Sequence, residues 1–408
     1  MKNRGFTLIE LMVGMTVALL VIGVVTATFL SQQRAIQALD LSRDASNAGR
    51  DAMLSMQEAI GRAGYGIDPR LAFDFKYYNC PAQPCRDKIN GPDEMVFVER
   101  DPNYYWSNSA ATTVQGCDPT APCAGHAWRV VSFVTASNTI TIETHGGENF
   151  VKGQLIEVTC ANGQNPLIGE VSSYVSGTGT ITLTVDATNP YKQMLPGGSC
   201  YGNSGTSLFL VNRYHYHVVT ISGDPWLMLD RGIDFNQNGT TPENGNDLAD
   251  EIPISHGLEG LQIAYLLQPP PNPWTGSGAA PTAPDNGTDW VIGDSKGVQE
   301  EPSTTAAAPS QGASAVDPLR YNMSPANIRG VRLRLTARSI LKDLTQPTGW
   351  AGDPYYPRCS GGTNCTAGYL TTVENADSLG TPTGSFRRYF SSVSVATPNL
   401  NSKDPFIF

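Results

Sequence analysis

The sequence predicts an α+β protein, in which one long N-terminal helix packs on a large antiparallel β-rich head with inserted β segments and long loops. Three observations predict it. An apolar run from Phe6 to Leu30 continues into a helical pattern with no proline before Pro69. Beyond residue 67, β-branched and polar residues alternate in run after run, the signature of half-buried strands. The 41 Gly and 29 Pro among 408 residues imply many turns and exclude a helix bundle beyond the first segment. A formal net charge of −10 argues against a surface built to neutralise phosphates, so nucleic acid is not an expected partner.

Residues 1–5 read MKNRG and carry Lys2 and Arg4; the run 6–30 that follows holds one charge, Glu10. As a helix its roughly 25 residues reach about 37 Å, enough to cross a hydrocarbon core of about 30 Å with some tilt. Basic residues ahead of the run keep Met1 on the cytoplasmic side and send the head across the membrane. A carboxylate inside a bilayer is costly, so Glu10 requires a counter-charge. Segment 31–66 continues the helix amphipathically, with Ile36, Leu39, Gly49, Met53, Met56, Ile60 and Ala63 at spacings of three and four. The helix is expected from about Phe6 to about Ala63, ended by Gly61, Gly64 and Gly66, with this stripe as the seam against the head.

Gly5-Phe6-Thr7-Leu8-Ile9-Glu10 closely resembles the type IV prepilin motif. The resemblance implies that prepilin peptidase cuts between Gly5 and Phe6 and that Phe6 becomes the N-methylated terminus. It also implies that Glu10 neutralises the terminal amine of a neighbouring subunit during assembly. Many major pilins carry a helix-breaking proline in the apolar half, and this sequence departs from them there.

The head, residues 67–408, opens with strand patterns at Glu94–Val98, Trp128–Val134, Thr139–Glu143, Leu155–Thr159 and Thr180–Val185. They continue at Leu208–Ile221, Leu227–Asp230, Leu258–Leu267 and Ile328–Ala337, and close at Phe386–Val395. Block 101–200 forms its own run of strands and is expected as an inserted β module. Block 268–325, rich in Pro, Ser and Ala, is expected as a surface excursion with no core of its own. Gly257-Leu258-Glu259-Gly260-Leu261-Gln262-Ile263, the arginine-bearing strand Val331–Ala337 and Phe386-Arg387-Arg388-Tyr389-Phe390 resemble the PilW family of minor pilins. The inserted blocks fall outside that resemblance.

Three constellations remain. Asp234-Phe235-Asn236-Gln237-Asn238-Gly239 matches the opening of a calcium loop, D-x-[DN]-x-[DN]-G, although Gly245 stands where the bidentate Glu is expected. Asp247, Asp250 or Glu251 is the candidate replacement, and a metal-free Asn/Asp/Gly turn is the competing reading. His215 and His217 alternate on one strand face, a geometry compatible with zinc but lacking further ligands at the right spacing. Arg332 and Arg334 share the solvent face of their strand. The eight cysteines suggest disulfides in an oxidising compartment: Cys80 with Cys85, Cys117 with Cys123, Cys359 with Cys365, and by elimination Cys160 with Cys200. No G-x-S-x-G, H-E-x-x-H, P-loop or dinucleotide fingerprint occurs, so no enzyme activity is expected.

The expected function is therefore that of a minor type IV pilin that primes or caps a pilus at the cell surface. Its implied partners are other minor pilins, the major pilin, a PilY-type tip adhesin and prepilin peptidase. The alternatives are a J-like minor pseudopilin of a type II secretion system, or a pilin-stalked adhesin, lectin or enzyme housed in the inserted blocks.

Overall fold

The computed structural model describes residues 7–75, 86–88, 91–101, 128–144, 149–159, 167–185, 206–242, 247–276, 278–283, 289–293, 318–322, 325–343 and 386–401. Helix α1 (Leu8–Ile60) runs unbroken for 53 residues, about 80 Å at 1.5 Å per residue. Thr7 caps its start and Gly61 ends it, after which Gly64 (φ +73°) and Gly66 (φ +68°) reverse the chain. The Gly64 N–H then donates to the Val98 carbonyl at 2.9 Å and ties the turn to the first strand.

Thirteen antiparallel strands form two sheets among the described residues. The smaller contains β10 (Leu258–Leu267), β11 (Val291–Ile292), β12 (Ile328–Arg338) and β13 (Arg388–Ala396), in the order β11-β10-β12-β13. The larger contains β1 (Met95–Arg100), β2 (Trp128–Val134), β3 (Thr139–Ile142), β4 (Leu155–Thr159), β5 (Leu167–Val175), β6 (Thr180–Thr184), β7 (Ser207–Ile221), β8 (Asp224–Asp230) and β9 (Ile252–His256). Its path β2-β3-β6-β5-β4-β7 returns to β2, because Trp128 and Arg129 pair with Leu208 and Ser207. Block 101–200 thus contributes to a small six-strand ring that closes through β7. Trp128, Phe150, Ile156, Ile181 and Leu208 fill its interior as a core of its own.

Strand β7 is long enough, at 15 residues, to serve two structures. Its first part lies in the ring; its later part pairs with β1 and β8 and sends Tyr214 and Tyr216 into the main core. That core joins Met53, Met56 and Ile60 of α1 to Phe73, Phe97, Leu261, Leu333 and Leu335. Val331, Leu333 and Leu335 are buried while Arg332 and Arg334 are half-buried on the other face, as the alternation in β12 requires.

Three strands escaped the sequence reading. Gly169 and two serines weaken the β signal of β5, Pro253 interrupts that of β9, and β11 is two residues long. β9 tolerates its proline because it pairs only with β8 and lies at the sheet edge. The excursion 268–325 is not wholly superficial. Ile292 enters the main core, Trp290 packs against it, and Tyr321 is buried with Trp274 edge-on at 5.7 Å.

Candidate functional site

Two halves of α1 meet different surroundings. From Leu8 to Leu30 every residue is exposed, and the hydroxyls of Thr16 and Thr28 are satisfied by the helix itself at 2.9 Å, on the Met12 and Val24 carbonyls. By length and composition, this helix can cross a membrane. Gly14 and Gly23 have open space where a Cβ would stand.

The second half docks on the head. Burial begins at Ala45 and follows Gly49, Ala52, Met53, Met56 and Ile60. Ile36 and Leu39, placed in the seam by their spacing, are exposed and belong to the uncovered part. At Gly49 an added Cβ would lie 2.8 Å from the Tyr389 ring of β13, so only glycine admits this approach. Ser255 of β9 also donates from Oγ to the Ala48 carbonyl at 3.0 Å.

Glu10 takes part in a capping box that periodicity alone did not reveal. Its carboxylate accepts from the Thr7 N–H at 3.0 Å and the Thr7 hydroxyl at 2.8 Å, while its own N–H reaches Thr7 Oγ1 at 3.4 Å. The signal was present in the sequence as T-x-x-E before an apolar run. Gly5 and Phe6, and all eight cysteines, lie outside the described residues.

The segments Gly257–Ile263, Val331–Ala337 and Phe386–Phe390 come together at the smaller sheet. β10 pairs with β12 from Leu258↔Ala337 to Leu267↔Ile328, and β12 with β13 from Gly330↔Ala396 to Arg338↔Arg388. Glu259 and Arg388 form an ion pair across this sheet. Gly257 (φ +84°) lets the chain enter β10 beneath the Arg338 carbonyl, which an added Cβ would meet at 2.5 Å. Asp93, deeply buried, binds the Ile263 N–H at 2.8 Å and the Lys88 N–H at 3.0 Å. Burial and the nearby Asp87 charge push the Asp93 carboxyl well above the usual range.

The acidic loop after β8 folds as its motif requires. Asp234, buried, accepts from the N–H groups of Asn238 at 3.1 Å and Gly239 at 2.9 Å. Gln237 (φ +56°) and Gly239 (φ +88°) supply the two left-handed residues of the bend. Asp247 Oδ2 gathers Asn236 Nδ2 at 3.1 Å, Asn238 Nδ2 at 2.5 Å and Thr240 Oγ1 at 3.0 Å. These hydrogen bonds, from Asn238 first, lower the Asp247 pKa. The three carboxylates weighed from sequence separate here: Asp247 faces the loop from the surface, Asp250 from beneath, and Glu251 turns to His217 at 3.2 Å.

His215 offers no nitrogen to a metal, since Nε2 faces Glu94 at 3.2 Å and Nδ1 faces Asp230 at 3.3 Å. Burial pushes the Asp230 carboxyl up, but the His215 hydrogen bond and the charges of Arg213 and His215 outweigh it and hold Asp230 at about 2. Among the described residues no three His, Cys, Asp or Glu side chains are gathered to hold a metal by themselves.

Comparison with known proteins finds the prokaryotic N-terminal methylation motif at residues 1–26. The N-terminus therefore carries a type IV prepilin-like methylation motif, which implies processing by prepilin peptidase, on a helix apolar and long enough to anchor the chain in a membrane. No curated protein and no solved structure matches the chain.

Proposed function

We propose that the chain is a minor type IV pilin of the PilW kind, a structural and non-catalytic subunit that helps prime or cap the pilus. The observation that carries this reading is the junction of two features. A methylation-motif helix leaves its first half wholly uncovered, and its second half is gripped by a sheet built from the three PilW-like segments. An uncovered apolar helix needs a bilayer before assembly and the helices of neighbouring subunits afterwards. The large head then supplies lateral and upward contacts to other minor pilins and to a tip adhesin of the PilY type.

Processing and placement test the reading together. The mature chain should begin at N-methylated Phe6 by intact-mass measurement, and a bulky replacement at Gly5 should leave the precursor uncut. Deleting the gene should reduce surface pili, with the protein recovered at low abundance in the sheared fibre. Normal piliation with loss of protein secretion would instead assign the chain to a type II secretion pseudopilus and overturn the pilus reading.

A further inference from the structure

We infer that Asp234, Asn236, Asn238, Asp247 and Asp250 form a calcium site that fastens the β8–β9 connection of the head. The loop concentrates three carboxylates, Asp234, Asp247 and Asp250, and none of them is paired with Lys, Arg or His among the described residues. Three negative charges in one short loop repel one another, and a cation is the direct remedy.

An independent observation points into the same space. Asp250 is 2% exposed, and its Oδ1 accepts the N–H of Asn236 at 2.9 Å, which aims the carboxylate at the loop. Its Oδ2 is buried without any hydrogen-bond partner. An orphaned buried carboxylate oxygen is costly, and a cation placed at it removes that cost.

The donor set selects the ion. Asp234, Asn236 and Asn238 occupy the first, third and fifth positions of the loop, with Gly239 sixth, and each of the three carries side-chain oxygen that here accepts backbone N–H groups of the loop and would turn to the ion. Carboxylates alone do not cage an ion here, so amide and backbone oxygens must complete the shell. Calcium accepts six to eight such oxygens in irregular geometry, whereas magnesium demands a near-ideal octahedron and zinc prefers nitrogen and sulfur. Asp250, sixteen residues after Asp234, takes the part that Gly245 cannot. The anchorage explains what binding achieves. Lys152 holds the loop through the Gly239 carbonyl, its own carbonyl accepts from the Asp234 N–H at 3.0 Å, and so the loop joins the six-strand ring to the β8–β9 edge.

Calcium titration of the full-length chain in detergent, read by competition with a chromophoric chelator, tests the site. One ion per chain is expected, with magnesium at least tenfold weaker, and calcium should raise the melting temperature above that in EGTA by mass action. Asp250→Asn should weaken calcium at least tenfold while melting in EGTA no lower than the unaltered chain. Asn238→Asp, which adds a charged ligand and threatens no core, should tighten binding severalfold. Absence of stoichiometric calcium binding, affinity unchanged in both variants, or equal affinity for magnesium would overturn the proposal. These results are independent of N-terminal processing and of piliation.

Discussion

The two halves of α1 belong to one unbroken helix, yet they obey different physics. The first half is the more apolar and is buried nowhere; the second is less apolar and buries one face against the head from Ala45 onward. Glycine shows the contrast most directly. Gly23 faces open space, whereas Gly49 stands so close to Tyr389 that a methyl group would not fit. Burial within the head is thus set by shape and not by hydrophobicity: small residues bring the helix axis near the sheet, and Met53 and Met56 fill what remains. The larger hydrophobic payload is held back for a different solvent, the bilayer or the helices of other subunits.

A charge placed in each half should break the comparison most visibly. Met56→Asp puts an unpaired carboxylate at a fully buried position and is expected to cost more than about 4 kcal/mol, enough to prevent the head from folding in detergent. Leu20→Asp should leave head melting unchanged, while costing about 2.5–3.5 kcal/mol of membrane insertion, measured by carbonate extraction. Equal loss of head stability in both variants would show that the first half is not independent of the head.

Bulk at the two glycines comes next. Gly49→Leu is expected to destabilise the head by about 1–3 kcal/mol in thermal melts, and Gly23→Leu by nothing measurable. Part of the Gly49→Leu loss should return in a Tyr389→Ala background, where space is restored; the absence of any coupling would rule out the close approach at β13.

A smaller effect is expected at the ion pair that joins two strands of the gripping sheet. Arg388→Ala leaves Glu259 able to reach water, so the loss should be about 1 kcal/mol. Salt titration of the melting temperature checks it, since the variant should lose salt sensitivity that the unaltered chain shows.

The smallest effect on head stability belongs to Glu10→Gln, which should not alter melting at all. Gln keeps the capping box with Thr7 but removes the charge, so the variant separates the two roles. Cleavage and insertion should persist, while cross-linking to neighbouring subunits falls severalfold. Cross-linking at the unaltered level would leave the capping box as the whole role of Glu10.

Much of this organisation was legible in the residues because it rests on local periodicity. The strands Trp128–Val134, Leu155–Thr159 and Leu258–Leu267 read from alternation alone have the bounds found in the fold. β9 and β11 were illegible, because an edge strand with a proline and a two-residue strand exist only through their partners. The calcium-loop motif was readable from Asp234 to Gly239, but three carboxylates competed to complete it. Burial singled out Asp250, sixteen residues beyond Asp234 at the end of a short 3₁₀ turn, Leu248–Asp250.

By itself the sequence determined the helix, its processing motif and the antiparallel character of the head. Each of these depends on neighbours within a few positions, where spacing translates directly into one face or one cap. Tertiary structure alone decided where along α1 the seam begins, that β7 closes a ring as well as serving the main sheet, and which carboxylate of the acidic loop buries an oxygen with no hydrogen-bond partner. Those outcomes depend on residues far apart in the chain that share one volume, and exclusion of water from that volume is a property of the packed whole.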